Sequence, residues 1–530
     1  MPDEPVPDDA AGLRAANARL RAVVEAKDAE LAGLRAERDA DRELIRRLGL
    51  RLAELERRLG MDSTDSGTPS SRERIGAREA RRARQQSERE RRKDRKPGGQ
   101  PGHQGKGLAR DPEPGERKTA GPPAECRGCG AGLAGAKPAG DPRWAQVIDV
   151  EVARKVTEYL LPGLSCPCCG TVTFAEPPPG AYPGSVSYGP ALNAAAVVLT
   201  AYGNVPPERA ARLIGMLLGP EVSAGWVDKA SARLSARLGA AGFEEAMLAA
   251  LAAEKVLAAD ETPVAILDRA VPAAPAAEEA ADPDEGRPAA AGSPHVMIVR
   301  TPDERLTFLQ AIASRRKEAI AGALPGPFTG TLIADGYPGY RHLLAALTGI
   351  QQCCQHVIRR CRAVAKLGPG SLQSWAEDVI SILRDASRAV QDARASGAAA
   401  LDPELLAALR KRYDQAISTG IIHNRLRDWD SGNHPGYTLG TWLRDYKEQV
   451  FLFTRDFAVP WTNNASERGA KAAKRHQAVS GYWHTLHTLA RWCRIRSYLD
   501  SATAHGVTAI DAIRTAIEGK PWLPPLPAIG

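Results

Sequence analysis

A chain of 530 residues is too long to bury one core, so three or more units are expected. Its apolar fraction of 43% and charged fraction of 25% are those of a water-soluble protein. The acidic start MPDEPVPDDA lacks the apolar centre of a secretory signal, and no apolar run reaches the roughly 18 residues needed to cross a bilayer. A cytoplasmic protein with no membrane partner is expected, its nine cysteines reduced or metal-bound. The net charge of +8 is unevenly placed: residues 72–96 hold twelve Lys and Arg against five Asp and Glu. Such a block either binds polyanions or forms a solvated helix face.

In chain order, 11–60 carries a heptad pattern. Leu20, Val24, Leu31, Leu34, Ile45, Leu48, Leu52, Leu55 and Leu59 fall on alternating three- and four-residue steps. That spacing predicts a left-handed coiled coil and self-association, with a single amphipathic helix folded back on the body as the alternative. Residues 61–115 read as a basic, Ser/Gly-rich linker. Two knuckles follow within 116–180, CRGCG at 126–130 and CPCCG at 166–170, separated by an alternating, strand-like stretch around Trp144–Val152. Paired Cys-x-x-Cys turns ending in glycine can set four thiolates around Zn²⁺; the expected ligands are Cys126, Cys129, Cys166 and Cys169, with Cys168 a bystander. Segment 185–251 is helical, with 205–234 reading as two helices about a Gly-Pro turn and Ser223 capping the second. This is either a helix-turn-helix that enters a DNA groove or ordinary helical packing.

Residues 252–500 hold four apolar runs with strand character: KVLAADETPVAIL, HVMIVR, RLTFLQAI and TLIADG. An Ala/Pro/acid-rich insert at 271–294 divides the first two and reads as a disordered loop; a helical insertion, about 362–450, follows the fourth. Residues 501–530 read as a C-terminal tail.

Three acids stand in distinctive frames: Asp260 in LAADETP, Asp335 in LIADGYPGY and Glu467 in NNASERGAKAAKR. Each also has a plain structural reading. Asp260 can satisfy strand-end amides, Asp335-Gly336 is a turn pair, and Asn464 with Glu467 has capping-box spacing. Taken together, carboxylates that close apolar strands are costly without a counter-ion, and Mg²⁺ or Mn²⁺ is a natural one. Glu261 competes as a ligand, but adjacent strand residues face opposite ways, so it is left out. Lys471, Lys474 and Arg475, on the same helix as Glu467, are expected to meet DNA phosphates.

The coiled coil and Ser-rich linker, GGQPGH at 98–103, both cysteine knuckles, DET at 260–262, ADGYPGY at 334–340 and NNASER at 463–468 together resemble the transposases of the insertion-sequence 66 family. The resemblance implies a multidomain α/β protein with a ribonuclease-H-like core interrupted by a helical insertion. A coiled coil, a zinc module and a helical DNA-binding region precede that core. It assigns the DDE catalytic triad to Asp260, Asp335 and Glu467 as Mg²⁺ ligands. It also looks for a Cys-x-x-His ahead of paired arginines, matched here by Cys353, His356, Arg359 and Arg360 with one extra residue before the arginines. The two arginines are expected at DNA. The implied activity is cutting at inverted-repeat element ends and joining the 3′-hydroxyl to target DNA, by a homo-oligomer at the nucleoid with or without small accessory proteins. The alternatives are a zinc-containing DNA-binding regulator and a nuclease of the same fold.

Overall fold

The computed structural model describes residues 10–60, 107–178, 180–268, 293–368, 370–430 and 432–525, and at positions 10, 11, 13, 16, 53, 54, 56–60, 464, 465, 467 and 468 the backbone alone. The basic block 72–96, GGQPGH and most of the 271–294 insert lie outside the described residues.

Helix α1 (Ala10–Gly60) has 51 residues and so is about 75 Å long. Its heptad residues from Leu20 to Leu55 face solvent, with Leu20 63%, Ile45 69% and Leu48 60% exposed. It touches the body through Arg46 to Asp428 and Arg51 to Asp430, both at 2.9 Å. Exposed ion pairs of this kind contribute little to stability.

The cysteine region holds one hairpin, β1 (Gly163–Ser165) against β2 (Val172–Phe174). The strands expected around Trp144–Val152 are not formed. Val147 and Val150 are 93% and 79% exposed there, so the alternation has no sheet to pair with. Helices α2 (Pro190–Val197), continued by a π-turn to Tyr202, α3 (Pro207–Leu218), α4 (Ala224–Ala240) and α5 (Phe243–Ala252) follow. Ser223 caps α4, accepting from the Trp226 N–H at 3.1 Å, and Gly219 at φ +90° makes the turn before it. The buried stripe of α4 (Val227, Leu234, Leu238) packs into the main core.

The body is organised by a five-stranded mixed sheet in the order β5-β4-β3-β6-β7. Its strands are β3 (Val256–Pro263), β4 (His295–Arg300), β5 (Thr307–Ile312), β6 (Thr331–Ala334) and β7 (Gly349–Gln352). The first three form an antiparallel meander, while β6 and β7 run parallel to β3. Both faces are covered, as the near-continuous apolar runs require. Leu257, Ala259, Met297, Val299, Leu332 and Ala334 face α2–α5 and the short α6 (Lys317–Ala323). On the other face Val256, Ala258 and Ile333 meet the insertion helices α7 (Cys354–Ala365), α8 (Gly370–Ala395), α9 (Pro403–Asn424) and α10 (Pro435–Asp445). After the short α11 (Lys447–Val450), α12 (Asn464–Ser480) and α13 (Leu486–Ala504) cover β4 and β5.

Two expectations are corrected here. Asn463, not Asn464, is the N-cap of α12, so Glu467 falls one position past the capping-box site. The segment 501–530 is not merely a tail: α14 (Ala509–Ile517) buries Ala512, Ile513 and Ala516 in the main core. No helix among the described residues is long and apolar enough to cross a membrane.

Candidate catalytic site

Asp260 lies within the central strand and Asp335 directly follows its parallel neighbour β6. The ladder pairs Val256 with Thr331, Leu257 with Leu332 and Ala258 with Ile333. Carrying that register two residues further sets Asp260 beside Asp335. Residues two apart on a strand share a face, so both aspartates follow Ala258 and Ile333 onto the side of the helical insertion. This is the carboxyl end of parallel strands, where open α/β sheets leave a crevice for ligands. The Asp335 carboxylate accepts from the Tyr337 N–H at 3.0 Å, which folds the DGY turn, and Asp260 Oδ1 accepts from the Glu261 N–H at 3.0 Å.

The helix bearing Glu467 is fixed to this edge by its own N-cap. Asn463 Nδ2 donates to the Ala259 carbonyl at 2.7 Å, and the Asn463 N–H donates to Cys353 Sγ at 3.1 Å. The Cys354 N–H donates to the Trp461 carbonyl at 2.9 Å, completing the tie between the start of α7 and the approach to α12. Farther along α12, Gly469 lies over Ile298, the cross-strand partner of Asp260; a Cβ there would come within 3.4 Å of the Ile298 side chain. Lys474 Nζ donates to the Pro263 carbonyl. The backbone of Glu467 therefore sits between two points anchored on β3, one turn beyond Asn463. The Glu467 side chain lies outside the described residues.

Glu261 occupies the opposite face and is 1% exposed. Arg315 Nε donates to its Oε1 at 2.7 Å, and the Tyr340 hydroxyl donates to Oε2. Arg315 also reaches Asp335, with Nη2 3.7 Å from Oδ2, and lies 3.6 Å from the centre of the Tyr337 ring. Burial first, and then the negative charges of Glu261, Asp335 and Asp260, push the Tyr340 phenol well above its ordinary value, so it stays a donor. Arg315 and Tyr340 were not singled out from the sequence. Arg315 stands in a polar SRRKEA run with no apolar period to draw attention to it.

Of the basic residues expected at DNA, Lys471 and Arg475 are exposed on α12, and Arg359 and Arg360 are half-buried on α7. Lys474 is half-buried on its backbone acceptor. The cysteine pairs form two matching turns. Gly130 and Gly170, at φ +74° and +75°, return their N–H groups to Cys126 and Cys166 at 2.9 Å. The Cys126 thiol is held below its usual range by the backbone N–H groups of Gly128 and Cys129 and then by the Cys129 side chain. The Cys169 thiol is lowered by the Thr171 hydroxyl first, then its N–H and the Cys166 side chain. Each turn thus suits two ligands of a thiolate site. The four thiols are not gathered, however, and no group of three or more Cys, His, Asp or Glu is arranged for a metal among the described residues.

Residues 185–490, more than half of the chain, match the model of the family described as Transposase IS66 family. No curated protein matches the chain.

Proposed function

Because the chain belongs to the IS66 family of transposases, we propose that it cuts DNA at the ends of a mobile element and joins the freed 3′-hydroxyl to target DNA, using Asp260, Asp335 and Glu467. The observation that carries this reading is the shared register and face of Asp260 and Asp335, with the Glu467 helix pinned at Ala259. The sheet order, a three-stranded meander joined to two parallel strands, supports a ribonuclease-H-like core interrupted by the helices that follow β7.

Two neighbouring carboxylates offer the hard oxygen ligands that Mg²⁺ or Mn²⁺ prefers, with Glu467 as the third donor. When bound, such ions supply the charge that activates an attacking oxygen and stabilises the leaving one. The protein's part is placement and charge. The Asp335 turn, held by Tyr337 and Arg315, keeps one carboxylate in place, and strand β3 holds the other. Water then displaces the 3′-oxygen at the scissile phosphodiester, and that freed hydroxyl attacks a target phosphodiester in turn, with no covalent protein–DNA intermediate. Lys471 and Arg475 on α12, with Arg359 and Arg360 on α7, face the DNA backbone in this reading. In this reading Cys126, Cys129, Cys166 and Cys169 would hold one zinc ion if the two turns came together, α1 pairs with a second copy, and the cysteine region and α2–α5 recognise the ends.

The deciding experiment incubates the protein and Mg²⁺ or Mn²⁺ with labelled DNA from the flanks of its own gene, beside Asp335→Asn. Cutting and joined products that vanish in the variant while end binding persists are expected. Cutting without joining would make the enzyme a nuclease, and parallel loss of binding and cutting would make Asp335 a structural residue.

A further inference from the structure

Beside the Asp335-Gly336 turn the insertion contributes a ladder of alternating cations and rings. The Arg360 guanidinium lies 4.5 Å from the centre of the Trp442 ring. Trp442 stacks on Tyr446, one turn along, with centroids 4.9 Å apart and planes inclined by 26°. Arg341, on the 3-10 turn Pro338–Ala345, lies 5.2 Å from the Tyr446 ring. The near end of the ladder is built against the candidate active site. A Cβ on Gly336 would meet Trp442 at 3.0 Å and Arg360 Nη1 at 3.4 Å, so only glycine lets both close on the turn. The far end opens onto a cleft of about 400 Å³, partly open to solvent, bounded by Gly336, Tyr337, Arg341, Leu344 and Tyr446.

The charges here are unspent. Among the described residues neither Arg341 nor Arg360 forms an ion pair; what holds each is an aromatic face. The surrounding acids are already matched: Asp445 by Arg444 at 2.9 Å, Glu448 by Arg410 and Arg455, and Asp335 by Arg315. A guanidinium stacked on a ring keeps its N–H edge free and loses little freedom when that edge binds, which suits bidentate contact with phosphate.

We propose that Arg360 and Arg341, stacked on Trp442 and Tyr446, form a phosphate-binding track that grips the backbone of a DNA strand as it leaves the Asp335 turn and crosses the cleft. The inference rests on the reading of the protein as a DNA-processing enzyme, and it gives the helical insertion a function within that reading: it supplies both rings and one of the two cations. The contact is to the phosphodiester backbone and is therefore independent of sequence.

The test is salt-dependent binding of the full chain to a labelled duplex of arbitrary sequence. Neutralising one phosphate contact lowers the slope of log K against log salt by about 0.9 for a duplex. Arg341→Gln and Arg360→Gln should each lower the slope by about that amount, and the double variant by about twice as much. Arg341→Lys should keep the slope, and Arg514→Gln on distant α14 should leave it unchanged. Tyr446→Leu retains both charges but should weaken binding several-fold by releasing them from their rings. Arg341 is exposed, so its variants keep the test open if Arg360→Gln does not fold. A wild-type slope in folded Arg341→Gln, or an equal drop in the Arg514 control, would overturn the track. If Arg341→Gln binds like the wild type while Asp335→Asn still abolishes cutting, the track alone fails. A wild-type protein that neither binds nor cuts DNA removes the proposed function itself.

Discussion

Asn463 donates its side-chain amide to the carbonyl of Ala259, the residue before Asp260, at 2.7 Å. An N-cap residue ordinarily spends its side chain on the first turn of its own helix. Here it is spent on the central strand, and the cap N–H turns instead to Cys353 Sγ. The family-like Cys353 thus has a role that needs no metal: it is the acceptor that seats the Glu467 helix.

Asn463→Ala should cost about 1–3 kcal/mol, the price of leaving a buried carbonyl unpaired. It should also reduce cutting more than DNA binding, since the helix would lose its registration on β3. Cutting is the more sensitive because a misplacement of about 1 Å can cost on the order of 100-fold in rate. Denaturant midpoints and single-turnover cutting measured on the same preparation check both parts, and a variant with full activity would show that the seat is dispensable.

Glu261 and Arg315 make the second prediction. Their pair is 1% and 12% exposed, and removing one partner strands a charge in the interior. Such losses run to about 3–5 kcal/mol, so Arg315→Met should be severely destabilising. Arg315→Lys is the milder probe: it keeps the charge but cannot span Glu261, the Tyr337 ring and Asp335 together. We expect the Lys variant to remain folded and to need more Mg²⁺ for half-maximal cutting, because the Asp335 turn is less firmly held. An unchanged Mg²⁺ requirement would confine Arg315 to stability.

The cysteine turns lead to the third. Hydrogen-bond donors acidify Cys126 and Cys169 within their own turns, yet the two turns remain apart. If they are halves of one zinc site, the purified protein should carry one zinc per chain. Cys126→Ala or Cys166→Ala should lose it, and Cys168→Ala should not. Elemental analysis after gel filtration decides the matter, and protein free of zinc would reduce the knuckles to ordinary glycine turns.

Much of the site was readable because it is written locally. An apolar run interrupted by an acid marks a strand, and this places Asp335 directly after β6, although β3 runs on past Asp260 to Pro263; strand parity alone also turns Glu261 to the face opposite Asp260. What stayed hidden depends on distant partners. Strand β7, GIQQ, is not among the four runs read as strands, yet both of its glutamines are buried against the segment that follows. Gln351 accepts from the Phe453 N–H at 2.8 Å and donates to the Val450 carbonyl at 3.2 Å, and Gln352 donates to Gln449 at 2.7 Å. The alternation around Trp144–Val152 misled for the converse reason: it is a local pattern with no second strand to use it. The stacked rings Trp442, on α10, and Tyr446, its C-cap, sit four apart, a spacing that equally fits burial in a core.

The last prediction concerns α1. Its seam residues from Leu20 to Leu55 are 43–69% exposed. Among the described residues its ion pairs to the body, Arg46–Asp428 and Arg51–Asp430, leave those residues uncovered. So long an apolar stripe is rarely left in water, and apolar residues at 3.5-residue spacing are best buried against a copy of themselves. Light scattering should therefore give an oligomeric mass, and replacing Leu48 and Leu52 with aspartate should reduce it to that of one chain. The paired variant should still bind a single DNA end but no longer hold two together. A wild-type protein that is monomeric at micromolar concentration would instead favour α1 folding back onto its own body.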